Sequence, residues 1–107
     1  MLIKNLSELK EKEVVPGVKG KFLHSKNMTI VYWTIDAGAV MPDHAHPHEQ
    51  VVNVLEGEFD LIIEGEVNAV KPGSVAVVPP DITHGGRAKT DCRLIDVFYP
   101  VREDYRN

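Results

Sequence analysis

Short runs of apolar residues, broken by glycine, proline and aspartate, recur along most of the chain. Those of strand length cover residues 18–24, 28–35, 50–56, 58–64, 74–79 and 92–99. β-Branched residues dominate them, with fifteen valines and seven isoleucines against six alanines in the whole chain, and such side chains favour strands over helices. Strands at regular spacing between turn signals are typical of a sandwich or small barrel. The pattern therefore predicts an all-β fold.

A helical pattern occurs only near the start of the chain. Asn5 could cap a short helix there, because Glu8 follows three residues later and Leu6 and Leu9 would share one face. The 107 residues contain no repeat and no stretch with the composition of a linker. We therefore expect one domain over residues 1–107.

Several of the predicted strands are apolar on both faces. In residues 50–56, Val52 and Val54 share one face, whereas Val51 and Leu55 share the other. One face can line the core, and the other needs a second sheet or a partner subunit to cover it. We therefore expect a homodimer.

Charge and composition exclude several classes of partner. The 12 basic residues are outnumbered by 16 acidic ones, with no long block of either sign, so we expect no nucleic-acid partner. No apolar stretch approaches the roughly 18 residues of a membrane span, and the N-terminus lacks a signal-peptide pattern. We expect a cytoplasmic protein without a membrane partner, in which Cys92, Met41 and Trp33 fill the core or an interface.

Three of the five histidines fall within the segment "HAHPHEQ", residues 44–50. Alternate residues of a strand point the same way, so His44 and His46 can reach one ion. Pro47 interrupts the alternation, which leaves His48 open between a place beside the site and plain surface exposure. A distant histidine, His84, lies between a proline-rich turn and two glycines. The pattern predicts a metal site on His44, His46 and His84.

Gln50 stands where an acidic ligand would be expected. It could be the fourth ligand or a hydrogen-bond partner of the ligands, and we expect His24 to lie outside the site. Three imidazoles and a neutral amide oxygen leave the charge of a divalent ion uncompensated, which makes the ion a stronger Lewis acid. These ligand types suit Zn, Ni, Fe or Mn, so we expect one such ion per chain.

The last predicted strand carries a carboxylate among apolar residues. Leu94, Asp96 and Phe98 share one of its faces, and an unpaired buried carboxylate costs several kcal/mol. If this face lines the inside of the barrel, Asp96 and Phe98 lie near the ion, and Arg102 can lie in the same cavity. Asp96 would move protons, Phe98 would pack against a ring, and Arg102 would grip a carboxylate through paired hydrogen bonds, which suits a small anionic sugar acid. Alternatively, Asp96 pairs internally and residues 101–105 form a solvated tail.

The spacing of these residues resembles the two motifs of the cupin superfamily. The matching positions are Gly38, His44, His46, Gln50 and Gly57 in the first motif, and Gly73, Pro79 and His84 in the second. The resemblance implies a small double-stranded β-helix, or jelly-roll barrel, that holds one metal ion. Three positions depart from the usual pattern: Gln50 replaces a glutamate, Asp81 a glycine and Ala88 an asparagine.

A closer resemblance rests on "HAHPHEQ", "EGEF" and "DVFYPVREDY". Together they are similar to the KdgF family of pectin-degradation cupins, which open the ring of 4,5-unsaturated monouronates released from pectin and alginate. The resemblance implies metal ligands at His44, His46, Gln50 and His84, and catalytic residues at Asp96, Phe98 and Arg102. It implies an enzyme that converts the cyclic uronate to its linear keto-aldehyde form. The alternatives are a metal-dependent cupin dioxygenase acting on a small organic acid and a non-catalytic cupin that binds sugar acids.

Overall fold

A computed structural model of the protein describes residues 3–106 as ten strands and two single-turn 3-10 helices. The strands are β1 (Glu11–Val15), β2 (Val18–His24), β3 (Thr29–Ile35), β4 (Val40–His44), β5 (Glu49–Glu56), β6 (Phe59–Ile63), β7 (Glu66–Val70), β8 (Val75–Val78), β9 (His84–Ala88) and β10 (Cys92–Tyr99). The helical turns are Leu6–Glu8 and Glu103–Tyr105. Neither turn is long or apolar enough to cross a membrane. The all-β prediction is confirmed.

The strands form two antiparallel sheets that face each other across one core. The large sheet has the order β1-β2-β3-β10-β5-β8, and the small sheet has the order β4-β9-β6-β7. Their inner faces are apolar because alternate residues of each strand point inward. The buried apolar residues are Val18, Val31, Trp33, Ile35, Val52, Val54, Phe59, Leu61, Val78, Ala88, Cys92, Leu94 and Phe98. The predicted split of β5 is confirmed, since Val52 and Val54 are buried and Leu55 is exposed.

The six predicted strands are present, and the structure adds β1, β4, β7 and β9. Strand β9 was missed because its sequence, "HGGRA", has no apolar alternation. Its glycines are required by packing, since a Cβ on Gly86 would lie 2.3 Å from the ring of Phe59 on β6. Near the start, Asn5 precedes the first helical turn as expected, but its side chain does not cap the backbone.

Strand β4 contains a β-bulge opposite β9. Met41 pairs with Gly86 and His44 pairs with His84, so Pro42 and Asp43 together face the single residue Gly85. Proline is tolerated at a bulge because no ladder hydrogen bond from its nitrogen is needed there. The bulge brings His44 directly opposite His84, with their ring centroids 4.4 Å apart.

Candidate metal centre

Three imidazoles converge at one end of the small sheet. His44 ends β4, His84 begins β9, and His46 lies in the segment that joins β4 to β5. One ring nitrogen from each lies within 4.8 Å of the others. The predicted convergence of His44 and His46 is therefore present, although His46 lies outside the strand.

Backbone carbonyls fix the orientation of two of these rings. Nδ1 of His44 lies 2.8 Å from the carbonyl oxygen of Pro42, and Nδ1 of His84 lies 2.8 Å from that of Ile82. A carbonyl oxygen only accepts, so each Nδ1 carries the hydrogen and each neutral ring presents a lone pair at Nε2. This is the tautomer that a metal ligand needs.

The segment that carries His46 is held by the turn before β9. The backbone N–H of Asp81 donates to the carbonyl oxygen of His46 at 2.8 Å. Asp81 has a φ of +64°, a left-handed conformation that aspartate adopts more readily than most residues. Asp81 can therefore form the turn in place of the glycine that the cupin pattern has there.

The amide of Gln50 is oriented by a carboxylate on the large sheet. Its Nε2 donates to Oδ2 of Asp96 at 3.0 Å. Its Oε1 is thereby turned toward the imidazoles and lies 3.0 Å from Nε2 of His84 and 3.1 Å from Nε2 of His46.

This arrangement fits a cation. Oε1 of Gln50 and Nε2 of neutral His84 are both acceptors, so they repel at 3.0 Å unless a positive charge lies beside them. Burial lowers the pKa of His84, so a proton is disfavoured as that charge. Ligands bound tetrahedrally at about 2.1 Å around a divalent ion lie about 3.4 Å apart, somewhat more than the two distances from the amide oxygen. The three imidazoles and the amide oxygen are donor types that divalent transition metals accept.

Burial and neighbouring positive charges keep His46 neutral. Burial, followed by the positive charge of Arg102 and the neighbouring His84, lowers the pKa of His46 to about 4. Burial also lowers the pKa of His48. That ring is half-buried, 5.4 Å from the ring of His46, and outside the three-histidine cluster.

Asp96 lies in the middle of β10 with only 5% of its surface exposed. Its Oδ2 accepts from Nε1 of Trp33 at 2.9 Å and from Gln50, whereas its Oδ1 is buried without a hydrogen-bond partner among the described residues. Burial raises the pKa of Asp96 to about 6, against the opposing effect of these hydrogen bonds and of Arg102. Oδ2 is thus held by two hydrogen bonds, whereas Oδ1 has no hydrogen-bond partner among the described residues.

Trp33 is buried, as predicted, but it is also a hydrogen-bond donor to a candidate site residue. The sequence carried one signal of this second role, because a buried indole N–H needs an acceptor. The acceptor could not be named without the register, which places Trp33 opposite Leu94, two residues from Asp96.

Phe98 and Arg102 extend the site toward the C-terminus. The ring of Phe98 lies 5.5 Å from that of His46. The guanidinium of Arg102 contacts two aromatic rings that are nearly perpendicular to each other, at 4.8 Å from the centroid of Phe98 and 4.1 Å from that of Tyr105. Arg102 is buried, so the alternative of a solvated tail is wrong at this residue.

The expected paired hydrogen bonds of Arg102 are already made within the chain. Its Nε and Nη2 donate to Oδ1 and Oδ2 of Asp104 at 3.0 and 2.6 Å. Its Nη1 is buried and has no hydrogen-bond partner among the described residues. Asp104 was not singled out from the sequence, where it is one of several acidic residues near the C-terminus.

His24 lies outside the metal cluster, as expected. Its Nδ1 is 2.8 Å from Oγ1 of Thr29, and the same hydroxyl accepts from the backbone N–H of Arg102 at 2.9 Å. Thr29 therefore ties the chain after β10 to the β2–β3 hairpin.

Two spaces adjoin the histidines. A small cavity of about 30 Å³ is bordered by Gln50, Asp96 and Phe98. An open groove of about 270 Å³ runs between β1 and β4 and reaches His44 and Tyr105.

Comparison with known proteins decides the family. The cupin domain family matches residues 31–98. The chain belongs to the cupin family. It is 31% identical to the pectin degradation protein KdgF of Dickeya dadantii (strain 3937) over 96 residues, which cover 87% of each chain.

Solved cupin structures agree with the fold. An RmlC-like cupin from Shewanella frigidimarina superposes with a TM-score of 0.91 at 32% identity, over 98% of this chain and 96% of the other. KdgF from Halomonas sp. superposes with a TM-score of 0.84 at 35% identity, over 92% of each chain. The predicted resemblance to the cupins, close to KdgF, is confirmed.

Proposed function

We propose that this cupin is a metal-dependent enzyme that opens the ring of 4,5-unsaturated monouronates, as the resemblance to KdgF implies. The observation that carries the proposal is the bare Oδ1 of Asp96, buried beside a metal-type donor set. A buried carboxylate oxygen without a donor is costly, which is reasonable where a substrate proton is to be taken up.

In the proposed reaction, Asp96 is the general base. The substrate is a cyclic hemiacetal whose ring oxygen belongs to an enol ether. Asp96 takes the proton of the anomeric hydroxyl, and the bond between the anomeric carbon and the ring oxygen breaks. An aldehyde forms at the anomeric carbon, and the departing enolate gains a proton on carbon and becomes a ketone. No electrons enter or leave, so no redox partner is needed.

His44, His46, Gln50 and His84 are proposed to hold the ion, one divalent Zn, Ni, Fe or Mn per chain. Such an ion supplies electrostatic stabilisation to a negatively charged oxygen. Asp96 contributes a second time, because its hydrogen bond turns the oxygen of Gln50 toward the ion site.

Arg102 and Phe98 are proposed to orient the substrate. The free Nη1 of Arg102 is a charged donor for the uronate carboxylate. Phe98 lies between Arg102 and His46, so its ring can pack against the sugar. Holding the carboxylate at one end and the anomeric hydroxyl at the other would align the scissile bond with the base.

The test is to mix metal-loaded protein with an unsaturated monouronate and to follow the open-chain ketone by NMR. We expect ketone to appear faster than the spontaneous rate and only with metal present. Binding without faster opening would favour a sugar-acid binding protein, and oxygen uptake linked to product would favour a dioxygenase. Either result would contradict the proposal.

We also propose that the protein is a homodimer that pairs through the outer face of its large sheet. Val75 and Val77 on the edge strand β8 are 64% and 59% exposed, and Leu55 and Tyr99 on the adjoining strands are exposed as well. Exposed apolar residues grouped on one face of a sheet mark association sites. Light scattering after gel filtration should give twice the 11.9 kDa chain mass, and Val77→Lys should reduce it to one chain.

A further inference from the structure

We propose that Asp104 is a positioning residue for substrate binding. It holds the Nε and Nη2 edge of the Arg102 guanidinium so that the adjacent Nη1 and Nη2 end is directed toward the substrate carboxylate. The inference rests on the proposed function, in which Arg102 anchors the uronate, and it adds a residue to which no role has been given.

The donor count of the guanidinium supports this division. Arginine has five N–H donors in one plane. Asp104 accepts from Nε and from one hydrogen of Nη2, which leaves the second hydrogen of Nη2 and both hydrogens of Nη1. One hydrogen of Nη2 and one of Nη1 point off the end of the guanidinium, and this end can also bind a carboxylate through two parallel hydrogen bonds.

Contact with the neighbouring aromatic rings alone would not determine which edge of the Arg102 guanidinium faces the substrate. Phe98 and Tyr105 contact the guanidinium carbon at 4.8 and 4.1 Å from their ring centroids, and neither contact selects one pair of nitrogens. The two hydrogen bonds to Asp104 do, because they engage Nε and Nη2 together. The backbone hydrogen bond from Arg102 to Thr29 anchors the other end of the side chain.

The two members of the pair differ in burial. The side chain of Arg102 is 6% exposed and that of Asp104 is 56% exposed. Asp104 therefore acts from the solvent side, and the unpartnered Nη1 of Arg102 lies buried. A competing interpretation is that Asp104 occupies Arg102 in place of the substrate and must be displaced. The two interpretations predict opposite changes in affinity when Asp104 is neutralised.

The experiment compares Asp104→Asn, which keeps the shape of the side chain, with Asp104→Glu, which restores the charge. Glu103→Gln is the matched control, because it removes the same charge one residue away and Glu103 pairs with Arg106 rather than with Arg102. The probe is a saturated hexuronate, which carries the carboxylate but lacks the double bond and cannot react. Its Kd is measured by titration calorimetry on metal-loaded protein.

We expect Asp104→Asn to raise Kd for the probe, and KM for the unsaturated monouronate, by about tenfold. The same variant should change kcat by less than about twofold, because Asp96 and the ion site are untouched. Asp104→Glu should recover most of the affinity, and Glu103→Gln should resemble the parent protein.

Tighter binding by Asp104→Asn would show that Asp104 competes with substrate, and an unchanged Kd would show that it does not act on Arg102. A loss in Asp104→Glu as large as in Asp104→Asn would also overturn the proposal. Failure of the proposed function would look different. In that case the parent protein would not open the unsaturated uronate, whereas the probe titrations would still report whether Asp104 positions Arg102.

Discussion

The two sheets contribute different parts of the candidate site. The small sheet and the segment beyond it supply the three imidazoles, through a strand with a bulge and a strand with two adjacent glycines. The large sheet supplies Gln50, Trp33 and Asp96 from strands in which buried and exposed residues alternate regularly. The bulged strand and the glycine-containing strand of the small sheet thus bring the imidazoles together. The alternating strands of the large sheet hold Gln50, Trp33 and Asp96 in contact with one another.

Gln50 joins the two halves. It lies on the large sheet, it donates to Asp96, and its oxygen faces His46 and His84. Loss of the imidazoles should therefore remove the ion, whereas loss of the groups that act on Asp96 should leave the ion bound and slow the reaction.

Replacing His44 and His84 together with alanine should abolish stoichiometric metal binding, because two of the three imidazoles are lost. Ring opening should then fall to the spontaneous rate. Metal content after dialysis against a divalent first-row metal, measured by mass spectrometry, checks this. His24→Ala is the control and should keep one ion per chain. Full occupancy in the double variant would mean that the imidazoles are not the ligands.

Asp96→Asn should lower kcat by about 10² to 10⁴ while the ion stays bound, because general base catalysis typically contributes that much. The asparagine oxygen can still accept from Trp33 and Gln50, so the fold should survive. Metal analysis and NMR rate measurement on the same sample separate the two effects. An unchanged rate would remove Asp96 from the mechanism.

Trp33→Phe should lower kcat by about tenfold, because a hydrogen bond to a charged group contributes roughly 1.5–3 kcal/mol. The phenyl ring keeps most of the packing and removes only the indole N–H that holds Oδ2 of Asp96. Metal content should stay at one ion per chain. If metal is lost in step with activity, Trp33 supports the ion site rather than the base.

The smallest effect concerns pH and the Arg102–Asp104 pair. The hydrogen bonds from Arg102 lower the pKa of Asp104 below its usual range. A carboxyl with a lowered pKa in the folded state contributes fully to stability at pH values above its unfolded pKa, which is about 3.9. That contribution to the free energy of unfolding is lost as the pH falls through the lower, folded-state pKa. Because Asp104 is exposed, the contribution should be under about 1 kcal/mol.

Urea denaturation of the parent and of Asp104→Asn checks this prediction. The difference in free energy of unfolding should be present at pH 7 and should shrink as the pH is lowered below about 4. A difference that grows on acidification would contradict the assignment of the lowered pKa to Asp104.

The strands in which buried and exposed residues alternate could be predicted from the sequence. Alternation placed Leu94, Asp96 and Phe98 on the inner face of β10, and all three are buried there. The same reasoning separated Val52 and Val54 from Leu55. Such predictions succeed because the side-chain period of a strand is two whatever its neighbours are.

Strand β9, the hydrogen-bond partners of the site residues and the position of His46 could not be predicted in the same way. Strand β9 forms because β4 and β6 supply its hydrogen-bond partners, and "HGGRA" itself has no periodic pattern. The partners of Trp33 and Arg102 depended on strand register and on the path of the chain after Pro100. Spacing identified the histidines, but it could not show that His46 reaches the site from outside a strand.

The bulge in β4 decides which residue type meets the ion. If β4 continued from Met41 in unbroken register, Asp43 rather than His44 would stand opposite His84. Because neighbouring strand residues point to opposite sides, the side chain of Asp43 would then lie on the face of His84, and the side chain of His44 would point away from it. The extra residue in this edge strand therefore determines whether β4 offers the site an imidazole or a carboxylate.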